Sequence, residues 1–112
     1  MSQSPPPSGA AEHNVEEITA KARRASVLLK ALSHETRLII LFMLAKREKT
    51  VTEIEELLGL QQAVVSQHLA RLRMDQLVDT RREGRLVYYA VGNSEICAVV
   101  NSLHEVFCRK ES

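Results

Sequence analysis

Three groups of residues in this chain are equipped for chemistry, and their spacing directs each to a different task. Gln62, Ser66 and Gln67, with Arg71 one turn further on, bring amide, hydroxyl and guanidinium groups into one short stretch. A glutamine amide pairs a donor with an acceptor and matches the edge of adenine, whereas a serine hydroxyl bonds bases or phosphates. Arg81, Arg82 and Arg85 flank Gly84, and guanidinium groups clustered in this way supply positive charge to phosphate oxygens. The third group is the pair of thiols, Cys97 and Cys108.

Other chemistry has little to build on. The histidines are isolated and no nucleophile stands beside a base, so no enzyme is expected. Metal sensing needs clustered Cys, His or carboxylate ligands, and the segment Val51 to Leu58 has no cysteine. His104 and Glu105 are adjacent, which on a helix turns them about 100° apart and away from a shared ion. Neither a metal site nor a cofactor is expected.

The elements that must position these residues follow from apolar spacing. Residues 1–13 hold Pro5, Pro6, Pro7 and Gly9 among small polar residues and are expected to form a disordered tail. Val15, Ile18, Ala22, Ala25, Leu28, Leu29 and Leu32 recur at helical intervals, predicting a helix from Val15 to Leu32. Ser33 is placed to cap a second helix, His34 to Lys46, dense in Leu38, Ile39, Leu41, Phe42 and Leu44. Thr52 and Glu55 fit a capping box for a short third helix that ends at Gly59. A fourth helix begins near Gln61, with Val65, Leu69 and Leu72 on its apolar side.

Beyond Asp75 the pattern changes. Leu77 to Arg81 and Leu86 to Val91 are rich in β-branched and aromatic residues around a glycine turn, which predicts a hairpin. Asn93 or Ser94 then caps a last helix carrying Ile96, Val99, Val100, Leu103, Val106 and Phe107. The result is a mainly α fold with a small β-hairpin wing, in the order ααααββα, a winged helix-turn-helix spanning residues 14–110. In that arrangement a helix enters the major groove while the hairpin reaches the neighbouring backbone or minor groove.

Composition sets the outer bounds. The chain has 112 residues, 45% hydrophobic and 26% charged, enough for one folded domain and too few for two. No apolar run reaches the roughly 20 residues that cross a bilayer, and the N-terminus lacks a signal sequence, so a cytoplasmic protein with no membrane partner is expected. The net charge of +1 does not advertise a nucleic-acid partner by itself. With Phe42, Phe107, Tyr88 and Tyr89 as the aromatic residues, stacking platforms for single strands are few, and duplex DNA is the better target. Helix-turn-helix geometry also serves protein–protein docking, and an interaction module is the competing reading.

The segments Leu32-Ser33-His34-Glu35-Thr36-Arg37-Leu38, Val65-Ser66-Gln67-His68-Leu69-Ala70-Arg71-Leu72, and Leu77-Val78 through Arg82-Glu83-Gly84-Arg85-Leu86-Val87-Tyr88-Tyr89 resemble the ArsR/SmtB family of bacterial repressors. The resemblance spans about residues 15–108. It implies a homodimer held by the first and last helices, operator DNA bound through the fourth helix and the wing, and release by a metal or redox signal. On these positions the implied DNA-binding set is Gln62, Ala63, Ser66, Gln67, His68, Arg71, Arg82 and Arg85. Gln61-Gln62-Ala63 stands where the family often has Ser-Gln-Ser, which weakens the cap and removes one polar contact. His68 ranks below Gln62, Ser66 and Gln67, because a histidine beside Leu69 and Leu72 can instead hydrogen-bond within the helix packing.

The chain most resembles the branch that senses reactive sulfur, which uses one cysteine in the second helix and one near the end of the last. Cys108 matches the second of these and Phe42 stands at the first, so the usual dithiol switch is lost. Cys97 and Cys108 are the redox candidates that remain. On one straight helix they lie about 16 Å apart along the axis, too far for a disulfide. Crossing of two last helices near Ser102 or Leu103 in a dimer would bring Cys97 of one toward Cys108 of the other. The alternative is that both pack as small apolar residues, in a repressor without a sensing site.

Overall fold

The computed structural model describes residues 14–109; the expected tail at 1–13 and residues 110–112 lie outside them. In chain order the elements are α1 (Val15–Leu32), α2 (Glu35–Lys46), β1 (Lys49–Thr50), α3 (Val51–Leu58), α4 (Gln62–Met74), β2 (Val78–Glu83), β3 (Leu86–Val91) and α5 (Ser94–Arg109). The expected order of helices and hairpin is therefore present. One element is additional: β1 pairs antiparallel with β3, Lys49 opposite Tyr89 and Thr50 opposite Tyr88, giving a sheet in the order β1-β3-β2. A two-residue strand is too short for its alternation to register in a sequence.

The core gathers on α2, whose run from Leu38 to Leu44 is apolar on nearly every face. Ile40, Leu41 and Leu44 are buried there, against Ile54 of α3, Val65, Leu69 and Leu72 of α4, Leu77 and Val78 at the start of β2, and Val100 of α5. Each such side chain stabilises the fold by about 1.5–3 kcal/mol relative to exposure. Of α1, only Ala31 and Leu32 are buried, so most of that helix stands away from the core.

Two caps differ from expectation. Thr50, not Thr52, forms the capping box of α3: the Glu53 amide donates to Thr50 Oγ1 at 3.2 Å and the Thr50 amide donates to Glu53 Oε1 at 3.0 Å. Pairing of β1 with β3 holds Thr50 extended (φ −84°, ψ 165°), which starts the helix two residues earlier than the local pattern suggests. Ser33 adopts helical angles and its hydroxyl donates back to the Lys30 carbonyl at 2.7 Å, so it closes α1. His34, extended, takes the N-cap position of α2 without a side-chain cap bond. Asn93 does cap α5, accepting from the Ile96 amide at 2.8 Å.

Lys49 is buried, an unusual fate for a lysine. Its ammonium group donates to the carbonyls of Met43 (3.0 Å) and Arg47 (3.3 Å), at the C-terminal end of α2, where the helix dipole favours a cation. Burial pushes its pKa below the ordinary lysine value.

The end of α4 is closed by two bonds, Gln76 amide to Arg73 carbonyl (2.9 Å) and Leu77 amide to Leu72 carbonyl (2.9 Å), with Gln76 left-handed at φ 63°. This is a Schellman closure without the usual glycine, and the buried pair Leu72 and Leu77 compensates the strain. The same corner receives Gly92, whose amide donates to the Leu77 carbonyl at 2.8 Å. A Cβ at Gly92 would come 2.9 Å from the Gln76 carbonyl oxygen and 3.2 Å from the Leu77 carbonyl carbon. Gly92→Ala is therefore expected to destabilise the fold by about 1–3 kcal/mol through backbone displacement. Thermal unfolding checks this, and a melting temperature equal to the parent's would show that the corner is not tight.

Candidate nucleic-acid interface

The placement of α4 follows from its own periodicity. Val65, Leu69 and Leu72 are fully buried, so the opposite side of this 13-residue helix must face solvent. At about 100° per residue, Ala63, Gln67, Ala70 and Met74 lie nearly opposite the buried stripe, with Gln62 and Ser66 on one flank and Arg71 on the other. Gln62, Ala63, Ser66, Gln67 and Arg71 are all exposed. Gly59, at φ 68°, provides the left-handed residue that turns α3 into α4. Ala70, Arg73 and Met74 were not singled out from the sequence, yet they share this exposed surface.

The wing lies in the same half of the molecule as α4, because the Schellman turn leads directly from α4 into β2. β2 and β3 pair from Val78 opposite Val91 to Glu83 opposite Leu86, and Gly84 at φ 63° makes the two-residue turn. Arg82 and Arg85 are exposed and, among the described residues, have no ion-pair partner. Both remain available to phosphate. Arg71 is exposed but pairs with Asp75 at 3.3 Å, one helical turn on.

Arg81 behaves differently from its neighbours. Its guanidinium donates to Glu48 at 2.9 Å and to Glu83 at 3.0 Å and lies 4.5 Å above the Tyr88 ring. Hydrogen bonding to Glu48, and then to Glu83, holds it charged beyond the ordinary arginine range, and the same bond lowers the Glu48 carboxyl below its own. Its charge is thus met by Glu48 and Glu83, and it ties the wing to the segment before β1 while its side chain stays half-exposed. Glu48 has no local signal for this role, since the bond joins residues 33 positions apart.

His68 is half-buried on the side of α4 that faces α2. Its Nδ1 accepts from Arg37 Nε at 3.4 Å, and its ring meets that of His34 edge-on with centroids 4.9 Å apart. The structure thus gives His68 a packing partner in α2, whereas Gln62, Ser66 and Gln67 point outward.

Of the thiols, Cys97 is half-buried, with its sulfur 4.0 Å from the Ala45 carbonyl of α2 and 3.5 Å from Asn101 Nδ2. Cys108 is exposed, 3.6 Å from His104 Nδ1. Phe42 packs edge-on against the same histidine, ring centroids 5.2 Å apart, which puts it across from the turn of α5 that carries Cys108. Among the described residues no cluster of three or more His, Cys, Asp or Glu could hold a metal, and no helix is long and apolar enough to cross a membrane.

Two helices joined by a glycine turn, one with a polar outward face, followed by a basic hairpin, define a winged helix-turn-helix protein. The sequence profile of bacterial regulatory proteins of the arsR family matches residues 34–80. The transcriptional activator HlyU of Vibrio cholerae is 43% identical over 86% of this chain and 89% of that protein. The solved structure described as reduced HlyU from Vibrio cholerae superposes with a TM-score of 0.78 at 42% identity, over 84% of this chain and 99% of that one. A biofilm growth-associated repressor of Xylella fastidiosa is 34% identical over 86% of this chain and 84% of that protein. A homodimeric winged helix-turn-helix DNA-binding domain from Mycobacterium bovis, solved in solution, gives a TM-score of 0.71 at 29% identity, over 83% of this chain and 85% of that one. The chain belongs to the arsR family of bacterial regulatory proteins.

The two kinds of wing arginine should separate in a salt titration of duplex binding. Arg85→Ala is expected to flatten the slope of log affinity against log salt by about 0.9, the contribution of one neutralised phosphate. Arg81→Ala should change it less, and Glu48→Gln should steepen it by releasing the Arg81 guanidinium. Equal slopes for Arg81→Ala and Arg85→Ala would mean that Arg81 also reaches DNA.

Proposed function

We propose that this protein is a homodimeric, non-enzymatic transcriptional repressor of the cytoplasm that binds a specific duplex operator. The observation that carries this reading is the outward polar face of α4, Gln62, Ala63, Ser66 and Gln67, beside a wing whose Arg82 and Arg85 are unpaired. Base edges are read by the first set and phosphates are met by the second, with Arg71 assisting at the helix flank. Relatives described as an activator, a repressor and a homodimeric DNA-binding domain support the class.

Dimerisation through α1 and α5 is the natural use of their apolar surface. Val15, Ile18 and Leu29 of α1 are 59–65% exposed, and Val99, Val106 and Phe107 of α5 are 43–61% exposed. Surface of this extent on two neighbouring helices favours a two-fold, self-complementary contact. Two copies would then present two α4 helices to successive half-sites of an operator.

Selection of bound duplexes from a random pool tests the reading, followed by Gln67→Ala. That variant is expected to lose about 1–3 kcal/mol of discrimination between selected and random DNA while remaining a dimer by light scattering. A monomer of 12.6 kDa, or a Gln67→Ala protein that discriminates like the parent, would overturn the assigned interface.

Any inducer must act without the paired-cysteine chemistry that the sulfur-sensing resemblance implies. Phe42 packs against His104, one helical turn before Cys108, and Cys97 lies against α2, so the exposed Cys108 is the accessible thiol for a reactive sulfur species. Polysulfide treatment is expected to modify Cys108 singly and to leave operator affinity nearly unchanged. Mass spectrometry of non-reduced digests, paired with binding measurements, checks this. A large, reducible loss of binding with a sulfur bridge inside one subunit would refute it.

A further inference from the structure

We propose that His68, held by Arg37 and His34, is a positioning residue that sets the rotation of α4 and hence the presentation of Gln67, and that it does so only as a neutral imidazole. The inference rests on the reading of α4 as the DNA-facing helix. It concerns a cluster that the DNA-reading and wing chemistry leave unused.

His68 follows Gln67 directly and lies about 60° from the centre of the buried stripe formed by Val65, Leu69 and Leu72. It is thus the polar residue on the α2 side of the seam between the packed and the outward sides of the helix. The apolar stripe resists translation of α4 but tolerates small rotations, because leucine and valine contacts are non-directional. A hydrogen bond at the seam is directional. Arg37 Nε donates to His68 Nδ1 at 3.4 Å, and the His34 ring stands edge-on at 4.9 Å, so two groups from the first turns of α2 grip one side chain of α4.

The bond specifies the protonation state. Nδ1 must keep its lone pair to accept from a guanidinium, so a proton there converts the contact into two opposed donors. Arg37 of α2 and His34 at its N-cap are the charged and titratable groups in contact with the ring. Among the described residues no carboxylate pairs with Arg37 or either histidine. Burial first, then His34, then Arg37, lower the His68 pKa from the ordinary 6.5. The neutral form is therefore complete above that value. The grip is lost as pH falls through the lowered value in the folded protein.

The experiment measures affinity for a selected duplex at constant ionic strength from about pH 7.5 to about pH 4.5, extended below the ordinary histidine window because burial lowers the His68 pKa. The parent should bind several-fold more weakly at the acid end. His68→Asn supplies a non-titrating acceptor near the place of Nδ1 and should keep most of the affinity at the upper pH with a flat profile. His68→Ala should bind roughly five- to tenfold more weakly than the parent at the upper pH, the scale of one lost charge-assisted bond, with no acid step. Should His68→Ala fail to fold, as read by circular dichroism, the His68→Asn profile decides alone. A parent profile that stays flat or tightens in acid overturns the proposal, as does a His68→Asn profile that tracks the parent's. Gln67→Ala separates the two levels: if it loses discrimination while the His68 variants behave like the parent, only the positioning role fails. If no duplex is selected, or Gln67→Ala is also silent, the DNA-facing reading fails and takes this inference with it.

Discussion

Burial of Val65, Leu69 and Leu72 against α2 is the contact on which the rest of this molecule depends. A helix packed by one narrow stripe has its opposite side assigned at once, and a rotation of one residue would carry Gln67 about 100° away from where it now points. The left-handed Gly59 closes α3 just ahead of α4, and the Gln76–Leu77 closure ends α4 itself. The helix is thereby held in position as well as in orientation. The wing inherits that precision, because Leu77 and Val78, the first residues beyond the closure, are themselves buried in the same core.

Electrostatics here are a matter of placement. A net charge of +1 over the whole chain says little about nucleic acid, since acidic and basic residues nearly balance. Within the fold the balance is uneven. Glu48, Glu53, Asp75 and Glu83 are taken up by Arg81, Arg47 and Arg71, around the base of the wing and the end of α4. Arg73, Arg82 and Arg85 have no ion-pair partner among the described residues. Paired arginines thus shape the scaffold that presents Arg82 and Arg85 at the wing.

The helices at the two ends of the chain carry a different constraint. α1 contributes only Ala31 and Leu32 to the core, and α5 contributes Val100 as its one fully buried residue. Eighteen residues of helix with so little intramolecular burial gain little from their own propensity, since helix formation in water is marginal without packing. The cost of ordering α1 is offset when a second surface covers it. Folding of the terminal helices and assembly of the proposed dimer are in this sense one process, and the spacing of operator half-sites would follow from how the pairs of helices cross.

Much of the fold was legible in local pattern. The limits of α1, the Gly59 turn, the hairpin about Gly84 and the Asn93 cap all rest on residues within a few positions of each other, where periodicity and turn chemistry act directly. The outward character of Ser66 and Gln67 follows from the spacing of Val65, Leu69 and Leu72 alone, whereas Gln62 lies as near to that stripe as His68 and owes its exposure to the fold. What the tertiary structure decided are the features that join distant parts of the chain. Pairing of Lys49 and Thr50 with β3 moved the capping box from Thr52 to Thr50. Burial turned Lys49 into a cap for α2, and Arg81 went to Glu48 although Arg82 beside it stayed free. The Arg37 bond gave His68, already at the edge of the buried stripe, its partner in α2. A side chain's local neighbours set which conformations and which faces are open to it, but the partner it finds among them depends on which remote backbone the closed chain brings within about 3 Å, a distance over which hydrogen bonds form or fail.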